Sequence, residues 1–294
     1  MTELIETTAS AVPGIDDRTP SALQATRNTT RQGTKLVALD VDGTLVDHDG
    51  TMSDAVREAA RNAASAGHRL IIATGRSLGA TLPVVKLLGL GDGHAVSCNG
   101  GVTVRLDSSR EPGYEVLHRA TFTPATALSA LRATLPEAMF AVETATGAFL
   151  STSSFQDASF GIEAQAVNFE DLLSTEAVRV VVHSREVPLD EFELAVRGVG
   201  LHGVTYSVGW SSWLDIAAEG VTKATALEAL RRSMGIAPED TVAIGDGFND
   251  VEMLRWAGRG VAMGQAPDGV REVASEVTAS VYDDGAARVL RSLI

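Results

Sequence analysis

The sequence predicts an α/β protein in which a parallel sheet with helices on both faces is interrupted by a second, α+β unit. Two observations favour this architecture. From Lys35 onward, short apolar runs alternate with helical patterns, and this alternation stops near residue 115 and resumes after Gly220. Strands that are apolar throughout are typical of parallel sheets, because helices cover both faces of such a sheet.

The first part of the predicted sheet consists of three strands and two helices. They are, in order, strand KLVALDV (35–41), helix SDAVREAARNAASAG (53–67), strand HRLIIATGR (68–76), helix SLGATLPVVKLLGL (77–90) and strand HAVSCNGG (94–101). Ser53 is a suitable N-cap for the first helix, and Gly67 is a suitable stop. Pro83 lies inside the second helical pattern, so we expect a kink or a late start there.

A second unit is predicted where helical patterns mix with strands that alternate or stand alone. The helical patterns are PATALSALRATL (124–135) and PLDEFELAVRGV (188–199), and the strands are EVLHRATF (115–122), VRVVVHS (178–184), HGVTYSVG (202–209) and WLDIAA (213–218). Such a mixture is typical of α+β structure. We therefore expect an inserted domain at residues 116–216.

The alternation after Gly220 predicts the remainder of the parallel sheet. Its elements are helix TKATALEALRRSMG (222–235), strand TVAIGD (241–246), helix NDVEMLRWAG (249–258), strand RGVAMG (259–264) and helix PDGVREVA (267–274). We expect a Rossmann-like core made of residues 34–115 and 217–294. Residues 1–33 are rich in Thr, Ala and Ser and are predicted to form a flexible tail without a secretion signal.

Composition limits the classes of partner. The chain has 294 residues, of which 45% are hydrophobic, which is enough for a folded core. Its formal charge of −14 disfavours nucleic acid and anionic membranes as partners. No apolar run reaches the roughly 18 residues of a membrane span. Cys98 is the only cysteine, which excludes an internal disulfide and fits a reducing compartment, so we expect a soluble, cytoplasmic protein.

Pairs of carboxylates follow two of the predicted strands. Asp40 and Asp42 are two residues apart in extended backbone, so their side chains point to the same side, and Gly43 permits a sharp turn after them. Asp246 and Asp250, together with Asn249, follow a later strand. Ligands bind at the carboxyl ends of strands in such sheets, and a set of oxygen donors there suits Mg²⁺.

Two simpler interpretations of the first pair were considered. A solvated Asp-Gly turn is common at strand ends. A calcium-binding EF-hand loop with Gly43 at its sixth position would begin at Ala38 and end at Asp49. Alanine is no ligand and the terminal glutamate is absent, so the EF-hand is disfavoured.

Crowded carboxylates become useful if one of them attacks phosphorus. A phosphate monoester is itself anionic, so an attacking Asp needs a metal and a nearby cation. Lys223, in the first turn of a predicted helix, supplies the cation. The Thr74 hydroxyl and the amides around Asp42 and Gly75 can bind phosphate oxygens, and Asp42 can act as a general acid and base.

Four motifs in this order resemble the haloacid dehalogenase-like (HAD) phosphatase superfamily. They read DVDGT at 40–44, TGR at 74–76, EGVTKATAL with its lysine at 223, and GDGFND at 245–250. The segments SCNGG (97–101) and GVAMGQAP (260–267) further resemble the Cof-type subfamily. Members of that subfamily carry a class II α/β cap between the second and third motifs, so the resemblance implies that the inserted domain selects the substrate.

The resemblance implies a role for each motif residue. Asp40 would be the nucleophile and a Mg²⁺ ligand, and Asp42 would be the general acid and base, with its main-chain carbonyl on the metal. Asp246 would be the second metal carboxylate. Asp250 would lie beside the metal waters and Lys223.

Other residues are predicted around the phosphate or the substrate. Asn249, Gly43 and Gly75 are expected near the phosphate. Arg76 could reach the leaving group or be a surface charge, and Asn99 could contact the ligand or serve a tight turn.

Two positions depart from the family pattern, and both are expected at the rim of the site. Gln265 replaces an Asn in AMGQA, and VYDDG (281–285) replaces Asn-x-Glu-Asp-Gly. These departures affect the expected substrate more than the expected reaction.

The function predicted from these residues is Mg²⁺-dependent hydrolysis of a small phosphorylated metabolite through an aspartyl-phosphate. A sugar phosphate is favoured, with flavin mononucleotide or pyridoxal phosphate as further candidates. Two alternatives stay open: a phosphomutase or phosphotransferase with the same core, and a non-catalytic phosphate-binding regulator, although the presence of Asp42 disfavours the latter. The oligomeric state is not predicted.

Overall fold

The structure is a computed structural model that describes residues 33–153, 160–209 and 211–294. The predicted N-terminal tail, apart from Gly33, lies outside the described residues. The described part contains two sheets, one of eight strands and one of six. Among its helices, none is long and apolar enough to cross a bilayer.

The eight-stranded sheet is mixed and mainly parallel. Its strands are β1 Leu36–Leu39, β2 Arg69–Ala73, β3 Gly93–Ser97, β4 Val102–Leu106, β5 Tyr114–Arg119, β12 Thr241–Gly245, β13 Arg259–Ala262 and β14 Glu276–Val277. They lie in the order β14-β13-β12-β1-β2-β3-β4-β5. Strands β14 to β3 are parallel, while β4 and β5 are antiparallel to their neighbours. The chain builds outward from β1 in both directions, so the strand order reverses between β1 and β12.

The six-stranded sheet lies between β5 and β12 in the chain. Its strands are β6 Met139–Thr144, β7 Phe149–Ser151, β8 Gln165–Ala166, β9 Ala177–His183, β10 Val204–Val208 and β11 Trp213–Ala218, in the order β10-β11-β9-β6-β7-β8. The helices are α1 Asp54–Ser65, α2 Leu78–Leu88, α3 Ala125–Thr134, α4 Phe169–Leu173, α5 Leu189–Val199, α6 Lys223–Met234, α7 Val251–Trp256, α8 Asp268–Arg271 and α9 Gly285–Arg291. We call the six-stranded sheet with α3, α4, α5 and the loops that join them the cap, and the rest the core.

Helices cover both faces of the core sheet, as the sequence predicted. In β1, Val37 and Leu39 pack in a cluster with α1, α2 and α9, whereas Leu36 and Ala38 pack in a second cluster with α6, α7 and α8. All four residues are fully buried. The side chains of β1 therefore pack against helices on both faces of the sheet, which explains why apolar and polar residues do not alternate along this strand.

One predicted strand belongs to a different sheet from the one expected. EVLHRATF was predicted in the inserted unit, but β5 pairs with β4 at the edge of the core sheet. The expected boundary between residues 115 and 116 falls inside this strand. We propose that the inserted domain begins after Arg119 and ends after Ala218, where the chain leaves one sheet for the other.

The structure also corrects the expectation of a late start for α2. This helix begins at Leu78, and the Ser77 hydroxyl accepts a hydrogen bond from the Ala80 amide at 3.1 Å. Pro83 lies inside the helix and is exposed. The N-cap residue Ser77 sets the start of the helix, so the helix tolerates the proline further along. The same Ser77 hydroxyl donates to the main-chain carbonyl of Phe160 in the cap.

Two adjacent leucines of α2 provide a test of the core packing. Leu88 is fully buried, whereas Leu87 is 39% exposed. We expect Leu88→Ala to lower the free energy of unfolding by about 2–5 kcal/mol, because it leaves a cavity. Leu87→Ala is expected to cost less than about 1 kcal/mol. Denaturant titration of both variants checks this, and equal losses would contradict the described packing.

Candidate active site

Three adjacent strands bring the predicted motif residues to one edge of the core sheet. Asp40 follows β1, Thr74 follows β2 and Asp246 follows β12, and β1 lies between the other two strands. Parallel strands end at the same edge, so these side chains converge where the strand order reverses. In open α/β sheets this is the usual position of a ligand site.

Lys223 lies at the centre of the site. Its ammonium Nζ donates to Asp40 Oδ1 and to Asp250 Oδ1, both at 2.7 Å. All three side chains are almost completely buried. Burial alone would lower the pKa of Lys223, but attraction to Asp250 and Asp40 outweighs it and raises the pKa well above its ordinary value. The lysine is therefore a permanent cation inside the site.

The end of α6 that carries Lys223 needs this compensation. Lys223 is the first residue of the helix, and Thr222 caps it by accepting from the Thr225 amide. The amino end of a helix is electropositive and disfavours a cation. The two carboxylates offset that cost, so helix, lysine and acids depend on one another.

Asp250 has a second set of partners. Its Oδ2 accepts hydrogen bonds from the amides of Asp246 and Gly247, both at 3.0 Å. With its other oxygen on Lys223, this carboxylate is held on both sides. Asp250 therefore fixes the loop after β12 relative to α6.

Asp40 and Asp246 are not fully compensated by the lysine. Burial, with repulsion from Asp250, raises the pKa of Asp40 to about 7, although Lys223 opposes the shift. Burial and repulsion from Asp40 raise the pKa of Asp246 to about 8. Oxygens of Asp40, Asp246 and Asp250 lie within 4.8 Å of one another. A buried cluster of oxygen donors with excess negative charge fits a hard divalent cation such as Mg²⁺.

Gly43 allows the loop after β1 to approach Asp246. Its φ of +74° lies in the left-handed region, and a Cβ built there would overlap the Asp246 carboxylate. The loop is closed by the Gly43 amide, which donates to the Val46 carbonyl at 2.8 Å. Only glycine satisfies both the conformation and the contact.

Gln265 joins the loops after β1 and β12, a contact that sequence reasoning missed. Its Nε2 donates to the Gly43 carbonyl at 2.5 Å and lies 3.3 Å from Asp246 Oδ2, and its Oε1 accepts from the Val281 amide at 3.0 Å. The residue was singled out only as a departure from the family pattern. That departure was the available signal, and the structure places Gln265 beside the Asp246 carboxylate.

Asp42 and Arg76 form an ion pair that the sequence did not predict. Arg76 Nε and Nη2 donate to the two oxygens of Asp42 at 2.9 and 2.5 Å. Thr74 lies behind this pair, and its hydroxyl accepts from the Arg76 amide at 3.2 Å. The Asp42 side chain is mostly exposed to the cavity, in contrast to buried Asp40. The structure shows that Arg76 contacts Asp42, and its expected contact with a leaving group stays a prediction.

Asn99 adopts the tight turn that was one of its two interpretations, while its contact with a ligand stays a prediction. It adopts φ of +52° in the turn after β3, and its Oδ1 accepts from Asn249 Nδ2 at 3.0 Å. A Cβ built at Gly75 would lie 3.2 Å from the side-chain amide of Asn99, so the glycine allows this side chain to pack closely. Gly100, at φ of +104°, allows close approach of the Thr222 carbonyl, where any Cβ would overlap. The turn therefore holds α6 and also orients a polar group toward Asn249.

The site opens into a cavity of about 440 Å³ between core and cap. Asp40, Asp42 and Asp246 line it from the core, and Arg179, Trp213 and Asp215 line it from the cap. Arg179 and Asp215 were not predicted as site residues. A signal was present, because Arg179 and Asp215 are charged residues inside the otherwise apolar strand patterns VRVVV and WLDIAA.

Comparison with known proteins agrees with this geometry. A sequence model of the haloacid dehalogenase-like hydrolase family matches residues 37–290. The chain is 30% identical to a phosphoglycolate phosphatase of Methanothermobacter thermautotrophicus, over 87% of this chain and 97% of that one. It is 32% identical to the pyridoxal phosphate phosphatase YbhA of Escherichia coli (strain K12), over 88% of this chain and 98% of that one.

A solved structure shares the fold. The HAD subclass IIB sugar phosphatase BT4131 superposes with a TM-score of 0.74 at 25% identity, covering 89% of this chain and all of that one. The match spans both sheets, since it covers nearly all described residues. With the motif residues converging at one strand edge and the family model matching most of the sequence, the chain belongs to the haloacid dehalogenase-like hydrolases of the Cof type and is a phosphoric monoester hydrolase.

Proposed function

We propose that this protein hydrolyses the phosphate monoester of a small metabolite in a Mg²⁺-dependent reaction through an aspartyl-phosphate on Asp40. The observation that carries the proposal is the buried Asp40 carboxylate, which is held by Lys223 and faces the cavity. Sugar phosphates are the favoured substrates, and pyridoxal phosphate or flavin mononucleotide are further candidates. Related proteins named for sugar, pyridoxal phosphate and phosphoglycolate substrates support a small phosphorylated substrate.

The proposed Mg²⁺ ligands are the side chains of Asp40 and Asp246 and the main-chain carbonyl of Asp42. When bound, the ion offsets the negative charge of these acids and of the phosphate. Asp250 is already held by Lys223 and two amides, so its proposed role is to position the lysine and the loop after β12.

In the first proposed step an oxygen of Asp40 attacks phosphorus, and the bond from phosphorus to the leaving oxygen breaks. For this step Asp42 must carry a proton, so it first leaves its ion pair with Arg76, and it then gives that proton to the leaving oxygen. Arg76 holds the ionised form of Asp42, which makes Arg76 a positioning residue. Lys223 stays charged throughout and reduces the repulsion between Asp40 and the anionic ester.

The second proposed step releases phosphate and restores the enzyme. Asp42, now ionised, takes a proton from a water molecule as that water attacks phosphorus, and the bond from phosphorus to the Asp40 oxygen breaks. The Thr74 hydroxyl and the amides near Gly43 and Gly75 bind the phosphate oxygens. Asn249, held by Asn99, contributes a further polar group.

We further propose a cytoplasmic location and no nucleic-acid partner. The net charge of −14 supports the second point, since it repels a phosphate backbone. The buried free thiol of Cys98 is compatible with a reducing compartment.

Hydrolysis of p-nitrophenyl phosphate tests the nucleophile and the metal together. We expect turnover with Mg²⁺ that stops on chelation, and a loss of about 10³-fold or more in Asp40→Asn, because an amide cannot replace the attacking carboxylate. The control is Asp49→Asn, an exposed aspartate of the same loop, which should keep full activity. Full turnover in Asp40→Asn, or turnover without metal, would contradict the mechanism.

The same preparation distinguishes hydrolysis from phosphoryl transfer between sugars. With labelled hexose phosphates, a phosphatase releases inorganic phosphate, whereas a phosphomutase yields an isomerised ester. Binding of phosphate without formation of either product would indicate the alternative function of a non-catalytic phosphate-binding regulator.

Removal of the buried cation tests the role of Lys223. We expect Lys223→Met to lower kcat by roughly 10²–10³-fold and to lower the melting temperature, because two buried carboxylates lose their partner. Lys86→Met, at an exposed position of α2, should change neither quantity. Rates are compared well below each melting temperature. Unchanged kcat in folded Lys223→Met would exclude the lysine from the reaction.

Alanine substitutions at two glycines of one loop distinguish the effect of backbone strain from the effect of a clash with Asp246, a proposed metal ligand. Gly43 and Gly50 have φ of +74° and +77°, but no atom lies within 4 Å of a Cβ built at Gly50. We expect Gly50→Ala to cost about 1 kcal/mol of stability and to leave Mg²⁺ affinity unchanged. Gly43→Ala should weaken Mg²⁺ binding at least about tenfold, since Asp246 must move.

Calorimetric titration with MgCl₂ measures the binding directly, without turnover. Equal Mg²⁺ affinities for the two alanine variants would show that the approach of Gly43 to Asp246 does not shape the metal site.

A further inference from the structure

One face of the cap sheet carries a row of polar side chains among apolar ones. Residues of β6 and β9 alternate: Phe140 and Val180 pack with the cap helices, whereas Ala141 and Val181 pack with Phe149 and Phe160 on the opposite face. The polar row lies on that second face, which is turned toward the core. Its members are Glu143, Arg179, Asp215 and Ser207.

Strand register explains how these four residues form a row. Glu143 lies directly opposite Arg179 in the pairing of β6 with β9, and Ser207 lies opposite Asp215 in the pairing of β10 with β11. Asp215 lies opposite Val181, two residues from Arg179 on the same face. The row therefore crosses four adjacent strands, and its residues Arg179, Ser207 and Asp215 line the cavity that holds Asp40.

Arg179 has one hydrogen-bond donor without a partner in the part of the chain that the structure describes. The side chain is 3% exposed, and its Nε donates to Asp215 Oδ1 at 2.6 Å. Its Nη1 is buried and has no hydrogen-bond partner among the residues that the structure describes. Trp213 Nε1 donates to the other oxygen of Asp215 at 3.0 Å, so the aspartate is fixed while the guanidinium is not fully used. An unpaired buried donor is costly unless a water molecule, an ion or a ligand satisfies it.

Arg179 and Asp215 line the same cavity as Asp40, Asp42 and Asp246. Phosphorus must lie near Asp40 at the core end of this cavity. The cap end is then where the leaving group of the ester lies. The cavity of about 440 Å³ is large enough for the phosphate ester of a small metabolite.

The charges at the cap end select among leaving groups. The cap residues that line the cavity carry one guanidinium, that of Arg179, and two carboxylates, those of Asp215 and of Glu193 in α5. A leaving group with its own carboxylate or second phosphate would be repelled there. A neutral hydroxyl can accept from Arg179 Nη1 and donate to Asp215, with the Trp213 ring covering its carbon skeleton.

We propose that Arg179 and Asp215 form a hydroxyl-binding pair that makes the enzyme selective for phosphate esters of neutral polyols and sugars over esters with a second anionic group. The inference rests on the proposed phosphatase function and names the residues that choose its substrate class. Arg179 contacts the leaving group and takes no part in bond breaking at phosphorus.

The test compares three kinds of ester with Mg²⁺ present: a panel of triose to hexose phosphates, phosphoglycolate, and p-nitrophenyl phosphate, whose leaving group has no aliphatic hydroxyl. We expect the best polyol ester to exceed phosphoglycolate in kcat/KM by at least roughly tenfold. Arg179→Met should lower kcat/KM for that polyol ester by roughly 10–100-fold, and for p-nitrophenyl phosphate by less than about threefold. Asp215→Asn should shift the preference toward phosphoglycolate, because it removes a repulsive charge.

Control variants separate recognition from folding. Arg179→Lys keeps a cation for Asp215 but loses the planar Nη1, so it should fold and show the same loss of polyol preference. Val181→Ala, on the same strand and face, weakens packing without removing a donor and should leave the substrate ratio unchanged.

The outcomes are distinct. An equal loss on all esters in both Arg179 variants, or a wild-type preference for phosphoglycolate, overturns the inference while leaving the phosphatase proposal intact. Absence of p-nitrophenyl phosphate turnover in the wild type overturns the phosphatase proposal and this inference with it.

Discussion

Three carboxylates, those of Asp40, Asp246 and Asp250, lie buried together in this protein, beside one ammonium group that donates to Asp40 and Asp250. Their repulsion is large in a site from which water is excluded, because charges interact more strongly at low dielectric. Lys223 compensates part of it, at the cost of placing a cation at the amino end of α6. The remaining excess of negative charge accounts for the raised pKa values of Asp40 and Asp246. It also explains why a divalent cation belongs in the proposed reaction.

Such a cluster requires a rigid frame. Strands β12, β1 and β2 are buried on both faces, so the residues that follow them cannot move apart to relieve the repulsion. Close approaches at Gly43 and Gly100 lock the loop after β1 and the start of α6 against this frame. Stability supplied by the apolar layers thus offsets the unfavourable electrostatics of the site.

The core and its motif residues could be predicted because their signals are local. Apolar strands such as β1 cannot be mistaken for amphipathic helices, and Asp40 or Asp246 must then lie at a strand end. The sheet to which β5 belongs could not be predicted, because a strand's own alternation does not identify its partner. Its partner, β4, was missed as well. Pro83 misled the prediction for α2, since the local preference of proline was outweighed by the Ser77 cap.

Contacts between distant side chains were also beyond sequence reasoning. The ion pair of Arg76 with Asp42 depends on where two loops meet, and nothing in either segment specifies it. Gln265 was noticed only because it departs from a family pattern. Arg179 and Asp215 were overlooked because each was treated as part of a strand, although a charge inside a buried strand always needs a partner.

The register of the cap sheet separates the residues proposed to recognise the leaving group from those proposed to break the bond at phosphorus. Positions 143, 179, 207 and 215 form one row, and none of them belongs to the strands that Asp40 and Asp246 follow. A small combinatorial library at these four positions would therefore sample new leaving groups while preserving the bond-breaking apparatus.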